Sequence, residues 1–206
     1  MRFYLSSYKL GNEVDKLKKM IPKNKKTAYI ANAMDYSQDM ERIKEKINEN
    51  MQQLSGLGLD VELLDLKEYF GKSKELENKL SQIGTIFISG GNVFVLRQAM
   101  KLSGFDIILK KFIKENREML YGGYSAGICV LAQNLKGIDL MDDLTVKPYG
   151  NKLNIIWEGL GILDYLIVPH FKSDHPETKL ADKAVEYLKK NKMPFKTLRD
   201  GEVIII

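Results

Sequence analysis

Tyr121-Gly122-Gly123-Tyr124-Ser125-Ala126-Gly127-Ile128-Cys129-Val130 is the stretch that decides how this chain is read. A strand-like run from Met119 to Gly123 leads into Ser125, and an apolar helix-like run from Ala126 to Asn134 follows. Gly123-Tyr124-Ser125-Ala126-Gly127 fits G-x-S-x-G, the nucleophile elbow. In that turn the serine is held in a strained conformation between strand and helix, with its hydroxyl lifted clear of the sheet. Small neighbours are required because the two backbones approach closely. Many Gly-rich strand-to-helix turns share the pattern, so it signifies chemistry only when a base, an acid and oxyanion donors surround it.

Outward from the elbow, apolar runs alternate with amphipathic ones. Strands are expected at Arg2 to Ser6, Lys26 to Ala33, Asp60 to Leu66, Thr85 to Ser89 and Asp164 to Val168. The clearest helix carries Met40, Ile43, Ile47, Met51 and Leu54 at three- and four-residue steps, one apolar stripe with charges opposite. Further helices are expected near Val14 to Met20, Glu75 to Ile83, Val93 to Leu102, Phe105 to Asn116 and Glu177 to Asn191. From Leu135 to Gly161 the periodicity weakens into loops with short strands. Phe195 to Leu198 and Glu202 to Ile206 flank Asp200-Gly201, a hairpin signal. Strands alternating with helices of about ten residues predict an α/β fold: a mainly parallel sheet covered on both faces, in one domain over residues 1–206.

Composition narrows the function classes. Lys and Arg total 32 against 27 acids, a formal charge of +5, yet the lysines are interspersed with glutamates, as in Glu41-Arg42-Ile43-Lys44-Glu45-Lys46. No basic stripe interleaved with aromatics appears, which argues against a nucleic-acid partner. No run approaches the ~18 apolar residues of a membrane span, and the first residues are too short and polar for a signal segment. One cysteine excludes an intrachain disulfide and makes the cytoplasm the expected compartment. With two histidines beside it, no metal site is expected. Monomer and homodimer are both open.

In a parallel sheet, ligands bind at the carboxyl ends of the strands. Gly90-Gly91-Asn92, Ser125 and His170 each follow an expected strand directly, so all three belong on one edge. A serine hydroxyl needs a base at neutral pH, and His170 is placed for that role ahead of His175. Candidates for the orienting carboxylate are Asp142 and Asp139, with Glu177 as an outsider. Oxyanion donors are expected from the backbone N–H of Ala126 and of Gly91. Cys129, among Ile128, Val130 and Leu131, reads as a core residue.

Taken in order, Gly90-Gly91-Asn92-Val93-Phe94, Gly123-Tyr124-Ser125-Ala126-Gly127, Gly159-Leu160-Gly161 and Val168-Pro169-His170-Phe171 resemble the peptidase E family of serine peptidases, the alpha-aspartyl dipeptidase group. Leu198-Arg199-Asp200-Gly201-Glu202 is similar to that family's closing segment. The resemblance implies a class I glutamine amidotransferase-like (flavodoxin-like) three-layer fold and a Ser-His-Asp triad, with no cofactor. Ser125 and His170 match the nucleophile and base, and Asp142 leads Asp139 for the acid. The implied substrate is a small peptide, including dipeptides with an N-terminal Asp. A cation is then needed to receive that side chain, and Lys172 is the one candidate near His170. A non-catalytic sensor or regulatory protein of the same fold is the alternative. A third reading is an amidotransferase-type hydrolase using His175 and Glu177.

Overall fold

In a computed structural model describing residues 1–150 and 154–206, the strands are β1 (Arg2–Ser6), β2 (Lys26–Ile30), β3 (Asp60–Leu63), β4 (Thr85–Ile88), β5 (Leu120–Tyr124), β6 (Leu166–Val168), β7 (Phe195–Thr197) and β8 (Val203–Ile205). The helices are α1 (Val14–Met20), α2 (Met40–Ser55), α3 (Ser73–Leu80), α4 (Val93–Ser103), α5 (Phe105–Lys114), α6 (Ala126–Cys129) and α7 (Thr178–Lys190). Six strands form one sheet in the order β3-β2-β4-β5-β1-β8. All its pairings are parallel except β8 against β1.

Period-two alternation along the strands builds the layers. Ala28, Ile30, Ile86, Ile88, Phe3, Leu5 and Tyr121 point into the larger core, where α3, α4, α5, α6 and α7 pack. Tyr29 and Phe87 point the other way, towards Leu54 of α2, while Tyr4 and Leu120 meet Leu17 of α1. Both faces are covered, so the inner strands β1, β2, β4 and β5 are buried along nearly all their length, in keeping with the three-layer α/β expectation.

The helix following Ser125 is shorter than its apolar run suggests, ending at Cys129 rather than Asn134. The carbonyls of Val130, Leu131, Ala132 and Gln133 instead accept hydrogen bonds from backbone amides of Gly159 to Leu163, which ends the helical ladder. Among the described residues, the stretch from Leu135 to Gly161 holds a 3-10 turn at Ile138–Leu140, with residues 151–153 outside the description.

The Asp200-Gly201 turn does not close a hairpin. β7 pairs with β6 in a separate two-stranded parallel sheet, while β8 joins the edge of the main sheet beside β1. The chain therefore crosses from one sheet to the other at Asp200. No helix of the described residues is long and apolar enough to cross a membrane.

Candidate active site

β5 runs directly into α6 through Ser125, whose backbone angles of φ 49° and ψ −115° belong to neither element. Such a conformation costs on the order of 1–3 kcal/mol and persists only where the surroundings impose it. Ser125 heads α6, yet its hydroxyl makes no capping bond to the helix. It is also the one residue between Met119 and Ala132 that is not buried. The buried Cys129 thiol donates to the Ile167 carbonyl at 3.3 Å, and burial pushes its pKa up, so it serves as packing.

Beside the elbow, Gly90 lies so close to the Tyr124 ring and Ser125 that an added Cβ would collide with both. Gly91 has φ 137°, and a Cβ there would overlap the Ala33 carbonyl. Only glycine fits this pair of positions. Asn92 then caps α4, accepting from the Phe94 and Val95 amides at 2.9 and 3.0 Å. Among the described residues, the amides of Gly91 and Ala126 find no acceptor, which suits them to a developing oxyanion.

His170 follows β6 and Pro169, is 2% exposed, and has a left-handed φ of 60°. Its Nδ1 lies 2.8 Å from Asp200 Oδ1. Ser7, just past the end of β1, ties the two together: its hydroxyl accepts from the His170 amide at 2.9 Å and donates to Asp200 Oδ1 at 2.8 Å.

The carboxylate at His170 Nδ1 is thus Asp200 and not Asp142, the acid expected from the sequence. Asp142 Oδ2 accepts from the Val93 amide at 2.7 Å, filling an open N-terminal donor of α4, and makes no bond to His170. Burial pushes the Asp142 carboxyl up to about 7, and the nearby Glu177 adds to the effect. Asp139 is likewise spent on the Gly137 amide at 2.7 Å. In the sequence, the Asp200-Gly201 pair between two apolar runs reads as turn chemistry, which hides a carboxylate that meets His170. The informative signal was the resemblance of its segment to the family's closing motif.

His175 stacks on His170, with ring centroids 3.8 Å apart and planes 8° from parallel. Its Nδ1 accepts from the Glu177 amide at 3.2 Å, so its orientation comes from backbone rather than from a carboxylate. Burial and the neighbouring His170 hold its pKa below the usual value. Donor atoms of His170, His175 and Glu177 lie within 4.8 Å of one another. However, the in-plane lone pairs of two stacked rings run side by side and do not converge on one ion.

Ser125, His170, His175, Glu177, Gly90 and Gly91 line one open pocket of about 220 Å³. Its far wall is α2, which contributes Arg42, Ile43, Lys46, Glu49 and Asn50. Lys172 does not line it; its ammonium rests over the Phe171 ring, 5.2 Å from the centroid. Two of the pocket's cations, Arg42 and Lys46, thus come from a helix remote in sequence from the histidine, and a third, Lys9, follows β1. The signal of the helix pair was the four-residue spacing of Arg42, Lys46 and Asn50.

The sequence profile of peptidase family S51 matches residues 6–206. The chain belongs to peptidase family S51. That family is one of serine peptidases. It is 33% identical over 142 residues to an uncharacterized peptidase of Listeria monocytogenes, covering 68% of this chain and 64% of that one. An uncharacterized peptidase of Pasteurella multocida is 25% identical over 183 residues, 89% of this chain and 82% of its own. A Streptomyces coelicolor protein named peptidase E is 29% identical over 129 residues, 60% of this chain and 49% of its own. Among solved structures, a Listeria monocytogenes protein with a provisional peptidase E name superimposes with a TM-score of 0.79 at 24% identity, covering 100% of this chain and 93% of that one. A peptidase from an acI-B1 Actinobacterium gives 0.69 at 17% identity, covering 100% of this chain and 82% of its own. These likenesses carry the fold.

Proposed function

We propose that this S51 member is a serine peptidase acting on short peptides, with Ser125 as nucleophile, His170 as general base and Asp200 as the acid that orients it. The observation carrying this reading is the 2.8 Å pairing of His170 Nδ1 with Asp200, in a protein whose pocket also contains Ser125. A carboxylate can only accept, so the imidazole proton sits on Nδ1 and the Nε2 lone pair stays free to act as base.

Ser125 Oγ bonds to the scissile carbonyl carbon as Nε2 takes the hydroxyl proton. The negative oxygen receives hydrogen bonds from the Gly91 and Ala126 amides. The C–N bond then breaks as the imidazolium hands its proton to the leaving amine. Water, deprotonated by the same Nε2, adds to the acyl-enzyme; the ester bond breaks and the proton returns to Ser125. Throughout, the Asp200 carboxylate stabilises the transient imidazolium. A pocket of about 220 Å³ lies below the range typical of drug-sized ligands, which suits a short peptide. The chemistry calls for no cofactor, and the cytoplasm is the compartment we assign.

A fluorophosphonate probe and Asp-containing dipeptides test this reading. Wild-type protein is expected to be labelled at Ser125 and to hydrolyse the dipeptides, and Ser125→Ala to lose both properties. An unlabelled wild type, or turnover surviving in Ser125→Ala, would overturn the assignment.

A further inference from the structure

Arg42, Lys46 and Asn50 stand four residues apart on α2, so their side chains occupy neighbouring turns of one face. Asn50 fixes where that face points. It is buried, and its Nδ2 donates to the Tyr29 hydroxyl at 3.0 Å and to the Tyr124 hydroxyl at 3.1 Å. Tyr124 immediately precedes Ser125, so α2 is pinned to the elbow itself. At 1.5 Å rise per residue, Lys46 is ~6 Å and Arg42 ~12 Å along the helix axis from that anchor.

The charges lining the pocket are three cations, Lys9, Arg42 and Lys46, against two acids, Glu49 and Glu177, an excess of one positive charge. Lys9 and Glu49 pair with each other at 2.6 Å. Glu177 faces His170, with Oε2 3.8 Å from Nε2. Arg42 and Lys46 enter no ion pair among the described residues, though both are exposed and line the same pocket as Ser125. The positive charge of Lys46 also helps to hold the His175 imidazole neutral, which places it within electrostatic reach of the ring stacked on His170.

We propose that Arg42 and Lys46 form a subsite that binds a carboxylate of the peptide substrate, one to two helical turns from the nucleophile. This inference rests on the reading of Ser125 as the nucleophile. The guanidinium presents a planar fork matched to both carboxylate oxygens, and the ammonium adds a point charge. Because the subsite is open to solvent, its contribution is screened by salt. The carboxylate is either the peptide's C-terminus or an acidic side chain, and the chemistry of capture is the same for both.

The test compares wild type with Arg42→Gln/Lys46→Gln; both substitutions fall on an exposed helix face and keep good helix formers. Substrates are the dipeptide Asp-Leu, its C-terminal amide and Asn-Leu. Wild type is expected to prefer Asp-Leu over one of the two neutralised peptides, and that preference in kcat/KM to fall about tenfold in the double variant, mainly through KM. Collapse of the acid-over-amide preference assigns the C-terminus; collapse of the Asp-over-Asn preference assigns the side chain. Raising salt should erode the same preference in wild type. A preference that survives the double substitution, or none in wild type, overturns the subsite. The same comparison made as binding to Ser125→Ala requires no turnover, and fluorophosphonate labelling of each variant reports the nucleophile separately. A failed subsite is thereby distinguished from a failed nucleophile.

Discussion

His170 and Asp200 are joined Nδ1 to Oδ1 at 2.8 Å, and the same Asp200 oxygen accepts a hydrogen bond from the Ser7 hydroxyl at 2.8 Å. An amide at position 200 can present an N–H to the imidazole and so favour the wrong tautomer. Asp200→Asn is expected to lower kcat on short peptides by about 10²–10⁴-fold with the fold retained. Asp142→Asn should change kcat by no more than about threefold, because its carboxylate serves the α4 amide of Val93. Steady-state kinetics on the two variants decides between the acids; the reverse order of losses would reinstate Asp142.

At Ser125 the strained φ of 49° affects stability independently of chemistry. Ser125→Ala and Ser125→Gly both remove the hydroxyl, but only glycine relieves the backbone. After allowing for the greater freedom of glycine in the unfolded chain, Ser125→Gly should be the more stable by about 1–2 kcal/mol. Chemical denaturation of the two inactive proteins measures this, and equal midpoints would mean that the elbow stores no strain.

Gly91 and Gly150 both have positive φ, at 137° and 113°, but only Gly91 has backbone where a Cβ would go. Gly150→Ala should cost about 1–2 kcal/mol of stability with turnover kept. Gly91→Ala must push the turn off the Ala33 carbonyl, taking an oxyanion amide with it, and should lower kcat by about 10²-fold or more. Comparing kcat for the two variants separates left-handed strain from loss of the site.

The Asp142 carboxyl, raised from 3.8 to about 7 by burial, binds its proton more tightly in the folded than in the unfolded chain. Its contribution to stability is therefore complete below pH 3.8 and is lost as pH rises towards 7. Asn at this position still offers an oxygen to the Val93 amide and never ionises. Asp142→Asn should match wild type near pH 4 and exceed its melting temperature by about 3 °C or more at pH 8. Thermal unfolding at the two pH values is the check; a gap that does not widen with pH contradicts the raised pKa.

Much of the fold was legible because burial on both faces leaves continuous apolar runs, as in Thr85–Ile88, and these have few alternative readings. The elbow was legible because close backbone approach demands glycines around Ser125. The length of α6 was not, since the amides that end it come from Gly159 to Leu163, some thirty residues away. Asp200 was misread for a related reason. Asp-Gly carries a strong local turn signal, whereas pairing of β8 with β1 is a non-local fact with no local trace. Arg42 and Lys46 looked like an ordinary solvated face until Asn50 was seen to bond Tyr124.

Ser7 links His170 to Asp200 although it lies 193 residues from Asp200 in the chain. Translation runs in one direction, so a nascent chain elongated through Ser125 and His170 still lacks the acid and the strand beyond it. On the proposed roles, the hydrolytic machinery assembles only after residue 200 has been made and folded back onto the first strand. On those roles, a chain elongated only through His170 holds the proposed nucleophile and base without the carboxylate that orients the base.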